Sequence, residues 1–184
     1  MGRPKQLLDW GGRALVRVVA EAALAARLDP VLVVVGAAHA QVHAALQGLP
    51  LRVVVNSDYA RGQSTSLRAG IAALGAELVD GALVLLGDQP FVTVDLIERI
   101  VAEWRASGAP IAAPTYAGQR GNPVLFARAA FPELLAIQGD QGARRMLAGN
   151  PARVHLVSFD DPRPLADIDT PEDYDRLRSD TISP

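Results

Sequence analysis

Contiguous apolar runs and helical stripes alternate along this chain, and their order predicts its elements. Val31-Leu32-Val33-Val34-Val35 is a run of five with no polar partner. It reads as a strand buried on both faces and ended by Gly36. Ala82-Leu83-Val84-Leu85-Leu86 reads the same way, and Gly87-Asp88-Gln89-Pro90 follows it as a turn. Residues 51–55, 111–114, 124–126 and 154–158 are further strands. Residues 14–27 place Leu15, Val18, Val19 and Ala22 on one stripe of a helix. Residues 39–47 form a short helix, and residues 64–74 form one that Ser64 can cap. Thr93 starts an amphipathic helix through Ile97, Ile100, Val101 and Trp104, which stops near Gly108. Residues 129–137 and 141–147 are helical. Asp9-Trp10-Gly11-Gly12 is a turn, and residues 118–122 form a hairpin tip. Thr170-Pro171 opens the last helix. Strands alternating with helices predict an α/β sandwich with a mainly parallel sheet, as a single domain over residues 1–184.

Composition narrows the function class. The chain has 184 residues, 49% hydrophobic and 21% charged, in the globular range. Net charge is −2, aromatics are 5%, and the basic residues are scattered, which argues against a nucleic-acid platform. The absence of cysteine excludes disulfides, thiolate-bound zinc and thiol catalysis. No apolar stretch approaches the roughly 20 residues of a membrane span, and no signal peptide is visible, so a soluble cytoplasmic protein is expected.

Two acidic stretches carry the candidate chemistry. Asp88 follows an apolar strand, and ligands in open α/β sheets sit beyond the carboxyl ends of strands. The alternative is plain turn chemistry, since Gly-Asp-x-Pro is an ordinary turn. Downstream lies Asp167-Ile168-Asp169-Thr170-Pro171-Glu172-Asp173. Thr170 to Asp173 make an ordinary helix start, which leaves Asp167 and Asp169 unexplained. Two carboxylates brought together repel unless a cation lies between them. Mg²⁺ takes such oxygens and shares its shell with substrate phosphates. Asp169 is the better ligand candidate and Asp167 a supporting residue. Gly62-Gln63-Ser64-Thr65-Ser66 enters a helix whose free N–H groups attract anions, or is a plain cap. Gly121-Asn122-Pro123 is a hairpin turn or a ligand contact. Arg144 grips a phosphate or belongs to a solvated basic turn. His39, His43 and His155 lack ligand spacing with one another and read as surface or packing residues.

Taken in order, six segments resemble the MobA-like nucleotidyltransferases. They are Gly2-Arg3-Pro4-Lys5-Gln6-Leu7-Leu8, Gly62-Gln63-Ser64-Thr65-Ser66-Leu67, Gly87-Asp88-Gln89-Pro90, Gly121-Asn122-Pro123-Val124, Gly139-Asp140-Gln141-Gly142-Ala143-Arg144 and residues 167–173. The molybdenum cofactor cytidylyltransferase branch is the nearest match within them. The resemblance implies a Rossmann-like, glycosyltransferase-A-type three-layer sandwich. It implies transfer of CMP from CTP to molybdopterin-bound molybdenum cofactor with release of pyrophosphate. Asp88 and Asp169 then bind Mg²⁺ (or Mn²⁺), and Lys5 contacts phosphate. Gln63, Ser64, Ser66 and Gln89 belong to the nucleotide pocket, and Asn122 and Arg144 face the pterin. A molybdenum hydroxylase or its chaperone is the implied partner. Guanylyl transfer, a sugar-phosphate acceptor, or a non-catalytic cofactor-delivery role are the alternatives.

Two departures from the pattern matter. Asn122 stands where many relatives carry His, and an amide cannot titrate. The family also opens with an apolar central strand and a Leu-Ala-Ala-Gly-type loop ending in Arg-Met-Gly, whereas this sequence starts at that Met-Gly. An N-terminally incomplete domain is expected, less stable and weaker as a catalyst than one carrying the strand and loop.

Overall fold

A computed structural model describes the backbone of residues 4–139, 143–168 and 170–182, and their side chains except at 144, 145, 171 and 179–182. After a single 3₁₀ turn at Lys5–Leu7, β1 (Asp9–Trp10) and β2 (Arg13–Ala14) form a tight hairpin. Gly11 and Gly12 sit at its tip with φ of 62° and 84°. A two-residue primed turn needs that backbone, and it is open to glycine without steric cost. The expected turn is therefore a short hairpin.

The remaining elements follow in alternation. They are α1 (Leu15–Ala25), β3 (Leu32–Val35), α2 (His39–Ala45), β4 (Arg52–Val55), α3 (Gln63–Ala73), β5 (Gly81–Val84) and α4 (Val94–Ser107). Then come β6 (Ile111–Tyr116), β7 (Gln119–Arg120), β8 (Val124–Ala127), α5 (Phe131–Ala136), α6 (Arg144–Gly149), β9 (Val154–Phe159) and α7 (Pro171–Ile182). The caps of α4 are as the sequence predicts. Thr93 Oγ1 accepts from the Leu96 N–H, and Gly108 ends the helix in the left-handed region. At α7, Thr170 and Asp173 cap each other's backbone N–H groups reciprocally.

β3 and β4 pair in parallel, and β6 and β9 pair in parallel. β8 runs antiparallel to both β5 and β6, so β5, β6 and β9 share one direction. The sheet has helices on both faces. Ile111, Ala113, Val124 and Phe126 pack on one side against α3, α5 and α6. Ala112, Tyr116, Leu125 and Val157 pack on the other against α4 and the end of α1. This alternation along β6 and β8 is the period-two pleat.

The sheet has one discontinuity. Among the described residues, β3 has a ladder only to β4 and β5 only to β8. Their other edges line a common cavity of about 650 Å³, with an apolar lining from Val33, Val84, Val16 and Ile71. β3 consequently is not buried on both faces as expected: only Val35 of its four residues is fully buried. Ser64 does not cap α3 either. The cap position is Gly62, whose φ of 107° starts the helix one residue earlier, with no side-chain cap hydrogen bond.

Candidate functional site

Beyond the carboxyl end of β5, Gly87 and Asp88 lead into Gln89 and Pro90, both buried. Asp88 itself is half-buried. Gln89 is only 3% exposed, and its Nε2 donates to Asp167 Oδ1 at 2.7 Å across 78 residues of sequence. The next residue, Ile168, is fully buried in an apolar cluster with Trp10, Leu15 and Phe91. A hydrogen bond and an apolar anchor therefore tie the two acidic segments together. Asp169 lies outside the described residues, but the residues immediately before it pack on the loop that presents Asp88.

The amino-terminal turn joins the same place. A Cβ built on Gly87 would lie 3.6 Å from Gln6 Cγ and 3.6 Å from Val16 Cγ2. The turn carrying Lys5 thus packs against the Gly87–Asp88 step. Lys5 is half-buried there.

Gln63, Ser66 and Asn122 line the mouth of the cavity together with Pro4, Gln6 and Gly87. Gln63 is exposed, and Ser66 and Asn122 are half-buried. The Asn122 backbone is held from below. Its carbonyl accepts from the Tyr116 phenol at 2.5 Å. Burial first, and the Asp161 carboxylate second, raise the Tyr116 pKa far above the ordinary range, so this donor stays neutral. Gly121 permits the close pass: a Cβ there would lie 2.7 Å from Leu165 Cδ2 and 2.8 Å from Tyr116 Cε2.

Two sequence-derived candidates take other positions. Ser64 is 1% exposed and its N–H reaches the Gly139 carbonyl at 3.4 Å. The early helix start turns its side chain into the protein and away from the cavity lining. Gln89 is likewise buried, and its Nε2 is held by Asp167. The Arg144 side chain and residues 140–142 lie outside the described residues; the Arg144 backbone begins α6. His39 and His43 are exposed, and His155 pairs with Glu103 at 3.1 Å, in line with surface and packing roles. Asn56 was not singled out from sequence. It ends β4 as a buried polar residue and binds both Thr65 and Ser66. A polar side chain closing an apolar strand beside a Ser-Thr-Ser loop is the signal that could have found it.

The donor set suits a hard cation. Among the described residues, no three His, Cys, Asp or Glu side chains gather closely enough to hold an ion by themselves. What the site offers is the carboxylate of Asp88 and the segment leading to Asp169, with no thiolate or imidazole beside them among the described residues. Gln89 Oε1 is buried with no hydrogen-bond partner. An orphaned acceptor beside carboxylates calls for a donor, and water on an oxygen-coordinated ion supplies one. Among the described residues, no helix is long and apolar enough to cross a membrane.

Comparison with known proteins identifies the family. Residues 1–156 match the MobA-like NTP transferase domain. The purine catabolism protein PucB of Bacillus subtilis (strain 168) is 32% identical over 97% of this chain and 89% of its own length. The nicotine blue oxidoreductase of Paenarthrobacter nicotinovorans is 34% identical over 96% and 89%. The molybdenum cofactor cytidylyltransferase of Escherichia coli (strain K12) is 26% identical over 67% and 60%. Among solved structures, the Mycobacterium sp. strain JC1 homolog of Rv0371c superposes with a TM-score of 0.87 at 30% identity, covering 99% of this chain and 90% of that one. The Mycobacterium tuberculosis H37Rv Rv0371c complex with manganese gives 0.79 at 30% identity over 97% and 93%. With its domain match, its mixed sheet and its paired acidic loops, this chain belongs to the MobA-like NTP transferase family and is a nucleotidyltransferase.

Proposed function

We propose that this chain transfers CMP from CTP to a terminal phosphate of a molybdopterin-type cofactor and releases pyrophosphate. The observation that carries this reading is the Gln89–Asp167 hydrogen bond. It ties the loop of Asp88 to the segment leading to Asp169, which supports two carboxylates serving phosphoryl chemistry there. The cytidylyl branch and the acceptor are read from the molybdenum cofactor cytidylyltransferase resemblance. The match to PucB is broader and leaves the acceptor less constrained than the reaction type.

A phosphate oxygen of the acceptor attacks the α-phosphorus of CTP in line. The bond from that phosphorus to the bridging oxygen breaks, and its electron pair leaves on pyrophosphate. Asp88 and Asp169 would hold Mg²⁺ or Mn²⁺, which neutralises charge on the phosphates when bound; the manganese complex of Rv0371c supports a divalent ion. Lys5, at the same loop, stabilises the leaving pyrophosphate or the α-phosphate. Gln63, Ser66 and Asn122 at the cavity mouth bind and orient the two substrates, and Arg144 belongs to the pterin side. No side-chain nucleophile takes part.

The slot between β3 and β5 bears on how well this works. We propose that it receives an apolar strand, and that the domain is incomplete and weakly active without one. Turnover with CTP and with GTP, read as metal-dependent pyrophosphate release, tests the reading. Faster turnover with CTP supports it. Preference for GTP makes the guanylyl alternative correct. Cofactor binding without any pyrophosphate release makes the chain a delivery protein.

A further inference from the structure

Asn56 closes β4 and is 6% exposed. Its Oδ1 accepts from the backbone N–H of Asp58 at 3.0 Å. A backbone N–H can only donate, so this contact fixes which end of the amide is which. Nδ2 then faces two hydroxyls, Thr65 Oγ1 at 2.8 Å and Ser66 Oγ at 3.0 Å. Both amide protons are committed.

The polarity propagates from there. Thr65 spends its own proton on the Gly62 carbonyl at 2.8 Å, with the Asp58 carbonyl at 3.2 Å as a second acceptor. Ser66 receives a proton from Asn56, and among the described residues no acceptor takes the one it owns. Ser66 lines the mouth of the cavity. We infer that Asn56 is a positioning residue that fixes the Ser66 hydroxyl as a hydrogen-bond donor to an oxygen acceptor of the bound nucleotide. This rests on the nucleotidyl reading and adds a direction to it: the ligand atom met at Ser66 is a phosphate or carbonyl oxygen and not an N–H.

The geometry permits a directional test. Asn56→Asp keeps the acceptor for the Asp58 N–H but replaces the donors by lone pairs. Ser66 then turns its proton toward residue 56 and offers the ligand only an acceptor. CTP binding in the presence of Mn²⁺ is measured by calorimetry on the full chain. Ser66→Ala and Asn56→Asp should each weaken binding roughly tenfold, the size of one lost hydrogen bond. The double variant should be within twofold of Ser66→Ala, because Asn56 acts through Ser66. Ser66→Thr, which keeps a hydroxyl, should recover most of the affinity that Ser66→Ala loses. Unchanged affinity in Asn56→Asp overturns the inference. So does an equal loss in both Ser66 backgrounds, since that is charge repulsion alone.

A readout without nucleotide separates the two readings. In the unaltered chain both Asn56 side-chain amide protons should be protected from exchange by NMR, and Ser66→Ala should release one of them. If neither CTP nor GTP binds the unaltered chain or the chain carrying an added apolar strand, the nucleotidyl reading falls. The polarity is then decided by these protons, and exchange of both at the rate of an exposed amide overturns it. That readout also decides the matter if Asn56→Asp does not fold.

Discussion

Filling the slot between β3 and β5 is the most demanding test of this fold. The perturbation is a five-residue apolar strand and a glycine-containing connector fused ahead of Met1. Direction and connectivity are set by the structure. Gly36 and Gly87, just past the carboxyl ends of β3 and β5, lie with Pro4 and Gln6 on the same cavity. A strand running parallel to both neighbours would therefore finish beside Pro4. It would pair on two edges that lack a ladder among the described residues. Its neighbours have apolar side chains toward the cavity, so both of its faces should be apolar. The magnitude is large. At roughly 24 cal/mol per Å³, a sealed cavity of 650 Å³ would cost about 16 kcal/mol. That is more than the ~5–15 kcal/mol total stability of an ordinary domain. The slot is open at its mouth, so water and local collapse relieve part of this figure. Recovering only a third, about 5 kcal/mol, raises Tm by about 10–20 °C for a chain of this size. The assay compares the apolar extension with a polar extension of equal length, by thermal unfolding and by CTP affinity. The apolar form should melt higher and bind CTP more tightly. Equal melting and equal affinity for the two would refute the reasoning.

Four further outcomes follow from single sites. Asp88→Ala should lower turnover roughly a hundredfold or more while circular dichroism stays unchanged; full activity removes Asp88 from the site. Gln89→Leu should cost about 1–3 kcal/mol in urea unfolding and weaken Mn²⁺ binding, because Asp167 loses its donor and the two acidic loops lose their tie. Gly81→Ala should destabilise by about 1–3 kcal/mol, since the new methyl would sit 2.5 Å from the Phe126 carbonyl oxygen, whereas Gly87→Ala meets nothing nearer than 3.6 Å and should be nearly neutral. The hydrogen bond from His155 is the first cause holding the Glu103 pKa below its usual 4.5. A carboxylate lowered in the folded state stabilises above its unfolded pKa and loses that contribution as pH falls through the folded one. Tm should therefore fall on acidification below about pH 4.5, and Glu103→Gln should flatten that limb without altering Tm near neutrality by more than the small amount an exposed pair is worth.

Local chemistry made much of this architecture legible, and long-range contacts account for what it hid. Thr93 and Gly108 announced both ends of α4 because caps obey near-neighbour rules. The apolar run before Asp88 formed β5, and Leu86 and Gly87 beyond it line the cavity. Reading an apolar run as a buried strand misread β3 as buried on both faces. A run of valines reports that a strand prefers apolar surroundings, not whether a neighbouring strand supplies them. Ser64 was a plausible cap by residue type, but Gly62 at positive φ moved the helix start and buried it. The family resemblance implies that Gln89 belongs to the nucleotide pocket. Its partner Asp167 lies 78 residues away, and no periodicity reports such a pairing. Asn56 shows the same limit at shorter range. Its role depends on which amide atom meets the Asp58 N–H, a fact of orientation that composition cannot carry. Residue types thus offered candidates for the chemistry, while the direction of each hydrogen bond came only from the fold. In a nucleotide site that direction decides which ligand atoms are accepted. The buried amides of Asn56 and Gln89 are accordingly the residues where small, isosteric changes should separate recognition from folding.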